Sequence, residues 1–547
     1  MALTIVWFRQ DLRVWDHEPL HRAARRGRVI PIYIFERSLL QHPETCPAQV
    51  AFILSCLAAL DQDLRHLGGR LIVQTGDPAQ ILPDLVARTQ ADGIYAHIDC
   101  DRLFCRIRDA QLNRALAQRE MRIRYFEPPG SIEPLISYPE YRQCWHRDMG
   151  QAMAPRPAQV LVPDELTDTP LPTLAELEII PDDKPIPAGG IHPARSLLQE
   201  FFDTKAERYY WQLSYPSAEA TTGLSPYIKV GAISIRECVH YAQAFLSHSD
   251  LRIQRSSKQL ISRLRWGSGF HQRFRYLPQL EICSLYQVFD QEGWDFDPEA
   301  YARWQQGTTG FPIVDAAARC LRATGGWKGL NFRSRAIYAS FLSNLLGMDW
   351  RWGALHFMQH LLDGDCAIDH YQWAMQAGVT HCADKSWTRI YNPGEAAIAR
   401  CDPEAQFIRQ WLPELERVPL EHLGQDLSAF GYPAPMLHYA QSRKQRVQQL
   451  ERQRGTFRQQ EPITPHLSRM PEHPIPFAGG QHIWNVDINP ELFPSAIDLD
   501  RLDLTQANQL RTWLVAHVDI KPHSPRGLGK KSRSAKASTK AVQLSLF

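Results

Sequence analysis

The chain has no GxGxxG turn, no CxxC pair and no acidic residue after Asp519. It also has no apolar run near the ~18 residues that a membrane span needs. Each absence removes a class of protein. Without the glycine fingerprint this is not an ordinary dinucleotide-binding chain. Its eleven cysteines are odd in number and irregularly spaced, so neither a disulfide framework nor a four-cysteine zinc or iron–sulphur site is indicated. Reduced thiols in a cytoplasm are the expectation, with no metal. The opening "MALTIVWFRQDLR" reads as a buried strand broken by charges, not as a signal peptide. A formal net charge of +2 hides a basic C-terminus, where seven Lys or Arg lie between Lys521 and Phe547. Such a run is a solvated tail with an attraction for polyanions.

What is present divides into regions. Over residues 1–130, short β-branched runs ("LTIVWF", "RVIPIYIF", "RLIVQTG", "GIYAHI", "RIRYFE") alternate with amphipathic stretches such as "QVAFILSCLAALDQDLRHL". Buried strands separated by helices predict a doubly wound parallel sheet covered on both faces. Ligands of such sheets sit beyond the strand carboxyl ends. Residues 131–194 become Pro-rich and aperiodic, as expected of an interdomain connector. Residues 195–454 carry helical periodicity ("SIRECVHYAQAFL", "FPIVDAAARCLRAT", "RSRAIYASFLSNLLG", "GALHFMQHLLDG") and predict an all-α domain. A Pro-rich and helical extension (455–520) and a basic tail (521–547) follow. The hydroxyls of Thr221, Thr222 and Ser225 open the helical region. They suit either a phosphate group at a helix start or ordinary helix capping.

Several motifs occur together in order: "VWFRQDLRVWDHEPL", "TTGLSPYIKVGAIS", "GTTGFPIVDAAARCL", "DWRWG", "LLDGD", "RIYNP" and "DPEAQFIRQWLPEL". Over roughly residues 3 to 450 the chain resembles the DNA photolyase/cryptochrome family. The resemblance implies an α/β domain followed by a helical domain holding FAD, with chemistry started by blue light. It implies that Thr221, Thr222, Leu224 and Ser225 form the phosphate loop and that Tyr209 contacts FAD. Arg335 and Asp363 match the ion pair over the flavin ring, and Asp365 the carboxylate at its polar edge. Asp369 falls beside the reactive flavin nitrogen, where repair enzymes commonly carry Asn and plant cryptochromes Asp. Burial should raise its pKa and suit it to donate a proton. Trp294, Trp350 and Trp373 match the outer, middle and inner members of an electron-transfer chain.

The sequence departs from the family pattern in three places. The loop's usual basic residue is Gly223. In the lesion pocket, the expected Glu is Arg263 and the Arg after the retained Trp266 is Gly267. The pocket's Asn and Met are Phe332 and Ala336, which also excludes the His pair of (6-4) repair enzymes. Arg333 and Arg389 complete the candidate DNA contacts. Arg263 could polarise a thymine carbonyl or pair with a phosphate. Finally, the carboxylate that folate-binding members place before "RxRD" is Cys105, so a folate or deazaflavin antenna is undetermined.

The terminal Gln543, Leu544, Ser545, Leu546 and Phe547 resemble the pentapeptide by which bacterial repair proteins dock on the DNA sliding clamp. A basic leash ahead of it would raise the local concentration near DNA. Two functions stay open on this reading. One is light-driven repair of pyrimidine dimers by a monomer that binds DNA. The other is a cryptochrome-like photoreceptor.

Overall fold

The computed structural model describes residues 2–460, apart from 100, 133–137, 167–168, 277–280, 282–288, 290–293, 328 and 380–388. Five strands form one sheet: β1 (Ala2–Phe8), β2 (Gly27–Phe35), β3 (Ile72–Thr75), β4 (Gly93–His97) and β5 (Ile123–Phe126). Every pairing is parallel and the order is β3-β2-β1-β4-β5. Both faces of the sheet are covered, which is why its strands read as continuous apolar runs. Leu3, Ile5 and Trp7 pack with Leu82, Leu85, Leu112 and Leu116 on one side. Val6 and Phe8 pack on the other side against Phe52, Leu57 and Leu60 of α1 (Pro47–Arg65). The order reverses between β1 and β4, and their carboxyl ends leave a crevice at residues 9–11, 97–99 and 101.

The connector region is not wholly irregular. It contains α2 (Tyr138–Met149), whose Tyr141, Trp145 and Met149 make a buried stripe at four-residue spacing. Between Gln151 and Gly190 the described residues form neither helix nor strand. The remaining described elements are helices. The elements that matter for the site are α3 (Leu251–Tyr276), α4 (Phe332–Ser340), α5 (Trp350–His360), α6 (Cys366–Ala377) and α7 (Tyr439–Gln460). Local chemistry fixes their starts. The Asn331 side chain accepts from the Arg333 and Ser334 amides at 3.0 and 3.1 Å, Asp349 caps α5, and Asp365 caps α6.

The two domains share one apolar cluster, which runs from Val6 and Phe52 to Tyr209, Tyr227 and Leu264. Polar contacts sew the same boundary. The Leu12 amide donates to the Val230 carbonyl at 3.1 Å, Arg13 to the Gly231 carbonyl at 3.0 Å, and Gln49 to the Gly364 carbonyl at 2.8 Å. Among the described residues, no helix is long and apolar enough to cross a membrane.

Candidate functional site: a flavin-type cavity at the domain boundary

A cavity of about 550 Å³ lies between the helices and the sheet's crevice. The helical domain lines it with Tyr209, Thr221, Thr222, Leu224, Ser225, Arg335, Asp363, Asp365, Asp369 and Trp373. The sheet contributes Gln10 and Asp11 after β1, with His97 and Asp101 from the end of β4. One space therefore collects residues scattered over more than 350 positions of chain.

The polar end is made by the segment before the five-residue helix Ser225–Lys229. Thr222 Oγ1 accepts from the Leu224 amide at 3.3 Å, while the hydroxyls of Thr221 and Ser225 sit on exposed residues. Gly223 has φ of +70°, a left-handed conformation that disfavours any side chain, and its carbonyl accepts from Trp327 Nε1 at 2.8 Å. A basic side chain at this position would be strained.

On the same cavity, Arg335 Nη2 lies 3.1 Å from both carboxylate oxygens of Asp363. Asp365 Oδ2 meets His271 Nε2 at 2.9 Å and Lys229 Nζ at 3.2 Å. Burial opposes ionisation of Asp365, but these two neighbours hold its pKa far below the ordinary carboxylate range. Lys229 also pairs with Asp101, which ties the β4 crevice to the helical wall.

Asp369 behaves in the opposite way. Burial raises its carboxyl to about 8, against the lowering effect of His370, so it is protonated at neutral pH. Gln212 Oε1 and Asn331 Nδ2, on residues of the same cavity, are buried without a hydrogen-bond partner among the described residues. Orphaned buried polar atoms are rare in folded proteins and call for an explanation, such as a missing polar ligand. Hydroxyls, an ion pair, a neutral acid and unmatched polar atoms gathered on one cavity fit FAD.

Other expected residues distribute around this cavity. Trp373 lies on it, buried, with ring centroids 4.9 Å from Phe357 and 6.2 Å from Trp304. A Cβ at Gly353 would come within 2.2 Å of the Trp373 ring, so that ring rests directly on α5, one turn from buried Trp350. Trp294 is half-buried under Arg446, whose guanidinium lies 4.7 Å from its ring. The next residue, Asp295, bridges to Met348 just ahead of α5.

Arg263, Gly267 and His271 recur every four residues on α3 and line the cavity. Arg263 has no carboxylate within ion-pair distance among the described residues. Its Nη2 and Nε reach the Gln259 amide oxygen at 2.9 and 3.1 Å when that amide is oriented to accept. Phe332 and Ala336 line the same wall. Three candidates do not line it. Trp266 packs 6.0 Å from Phe270, Arg333 donates to the Tyr391 hydroxyl at 3.0 Å, and Arg389 is exposed. Cys105 is buried among Asp99, Arg108 and Glu36, and its thiol pKa is pushed far up by burial. Gln543 to Phe547 lie outside the described residues.

Fold and site together define a flavin-type protein with an α/β domain docked on a helical cofactor domain. The comparisons make this particular. A family model described as the FAD binding domain of DNA photolyase matches residues 260–452, and one described as DNA photolyase matches residues 4–147. The deoxyribodipyrimidine photo-lyase of Synechococcus sp. is 32% identical over 477 residues, 81% of this chain and 95% of the relative. A cryptochrome DASH of Natronomonas pharaonis is 30% identical over 456 residues, 77% of this chain and 92% of the relative. The crystal structure of a class III photolyase from Agrobacterium tumefaciens superposes with a TM-score of 0.71 at 27% identity, covering 83% of this chain and 98% of that one. The chain belongs to the DNA photolyase/cryptochrome family and is an FAD-dependent blue-light flavoprotein.

Sequence reading missed His271, Lys229, Asp101, Gln212 and Asn331. His271 was accessible through its spacing from Arg263 and Gly267, and Asp101 through its place after a strand of the parallel sheet.

Proposed function

We propose that the protein repairs pyrimidine dimers in DNA with light, through a lesion pocket in which a cation stands where the family places a carboxylate. Arg263 carries this reading. It is a partly buried guanidinium on the cofactor cavity with no acidic partner among the described residues, and Phe332 and Ala336 line the same cavity. A group so placed can hydrogen-bond a base carbonyl and stabilise negative charge developing on a lesion rotated out of the duplex. Arg333 and Arg389, outside the cavity, would contact phosphates and give binding that weakens with salt.

Thr221, Thr222, Leu224 and Ser225 would hold the pyrophosphate of FAD, and Tyr209 would contact the cofactor near them. Arg335, Asp363, Asp365 and Asp369 would surround the ring. Once bound, FAD supplies blue-light absorption and a transferable electron. Trp373 on the cavity, buried Trp350 on α5 and half-buried Trp294 would form the electron-transfer chain. That arrangement suits delivery of electrons from outside. Gln543, Leu544, Ser545, Leu546 and Phe547 would dock on a sliding clamp, and deleting them should abolish co-elution with the clamp.

A second reading, a photoreceptor without repair, is favoured by protonated Asp369, which suits a proton-coupled light switch. Incubating the reduced holoprotein with dimer-containing DNA in blue light and in darkness separates the two. Light-dependent loss of the lesion supports repair. An intact lesion beside normal flavin photoreduction supports the photoreceptor.

A further inference from the structure

Two buried polar atoms lie close together beside the cavity, and neither has a hydrogen-bond partner among the described residues. They are Asp369 Oδ2 and His370 Nδ1, 3.8 Å apart. A side-chain adjustment of about 1 Å would bring them to hydrogen-bond distance. The other edge of the imidazole is fixed: His370 Nε2 lies 3.0 Å from Glu44 Oε1. Glu44 in turn accepts from Arg102 Nη1 at 2.7 Å, and Arg102 reaches Glu281 at 2.9 Å. Glu44 precedes α1 in the sheet domain, so the line crosses the domain boundary. Along it, exposure rises from 2% at the His370 side chain to 12% at Glu44.

We infer that His370 and Glu44 form a one-proton reservoir for Asp369. After the Asp369 acid gives its proton into the cavity, the N–H bond at His370 Nδ1 breaks and an O–H bond forms at Asp369 Oδ2. The imidazolium becomes imidazole, the carboxylate becomes the neutral acid again, and no electron moves. The same transfer runs backward when the cavity returns the proton. Glu44 is a positioning residue: it anchors Nε2, leaves Nδ1 toward Asp369, and stabilises the imidazolium.

The surrounding charges agree with this resting state. Burial disfavours the imidazolium, but Glu44, Asp369 and Glu281 outweigh it and raise the His370 pKa. Glu44 is held well below its ordinary range by His370 and Arg102, against burial. His42, also beside this pair, is pushed down to about 3 by burial and Arg102 and stays neutral. Cys366 at the start of α6 remains a thiol, its pKa raised by burial. Arg335 and Asp363 face Asp369 from the cavity side and have opposing effects on it.

This inference rests on the reading that the cavity holds FAD. Its test uses full-length holoprotein, flash-induced infrared difference spectra and a flavin absorption spectrum of each sample. In the wild type the carboxylic acid band of Asp369, identified by its loss in D369N, should bleach after a flash and recover before the flavin returns to its starting state. In H370Q the bleach should persist, with recovery slowed about a hundredfold. E44Q should slow it less and lower the titration midpoint of His370, followed by NMR in flavin-free protein. Recovery at the wild-type rate in both variants would overturn the reservoir. So would a neutral His370 in the wild type at neutral pH. Absence of flavin from the wild type would instead overturn the cofactor reading.

Discussion

Replacing Asp369 by Asn should reshape the dependence of stability on pH. The folded chain keeps this carboxyl protonated up to about pH 8, whereas its ordinary value is 3.8. Below both values the acid is protonated in either state and contributes nothing. Between them the unfolded chain releases the proton and the folded chain retains it, so wild-type stability falls as pH rises. Above both, the loss is complete and constant. One pKa unit corresponds to about 1.4 kcal/mol, so the loss between about pH 5 and pH 7 reaches up to ~3 kcal/mol. Asn cannot ionise and should remove that slope. His370, Glu44, Arg335 and Asp363 face the site, and subtracting the two curves cancels every group not coupled to Asp369. The assay is denaturant unfolding of both proteins, flavin-free, across this range. The difference should grow in favour of D369N by about 1.4 kcal/mol per pH unit and flatten above about pH 8. A constant offset at every pH would refute the reasoning, because the buried acid would then ionise as it does in the unfolded chain.

Three further outcomes are expected. R335L leaves the Asp363 carboxylate buried without its cation and should cost up to about 3 kcal/mol in denaturant unfolding. It should also shed flavin on gel filtration. G353A drives a methyl group into the Trp373 ring and should cost about 1–3 kcal/mol or more, visible as a lowered unfolding midpoint. W373F should keep the flavin but abolish its photoreduction by external donors, measured as light-dependent loss of the oxidised flavin absorption.

The fold was legible because its signals are local. Apolar runs rich in Val and Ile, such as "RVIPIYIF", favour buried strands, and α4, α5 and α6 each begin behind Asn or Asp. The cofactor wall was legible because its residues sit in compact motifs. The ties between walls were not. Lys229 with Asp101, and His370 with Glu44, join residues 128 and 326 positions apart, and no periodicity encodes such a pair. Helix α2 was hidden inside a Pro-rich stretch, where "YRQCWHRDM" carries only three spaced apolar anchors. Arg263 was visible as a departure from pattern, but its lack of an acidic partner among the described residues could only be read in three dimensions.

The most direct test of the account compares wild type and R263A on dimer-containing DNA under blue light, with flavin photoreduction followed in the same samples. The account predicts light-dependent lesion loss by the wild type. In R263A that loss should fall on the order of 100-fold while photoreduction is kept. Equal repair by both proteins would remove Arg263 from the chemistry. No repair by a wild type that photoreduces normally would contradict the repair function itself.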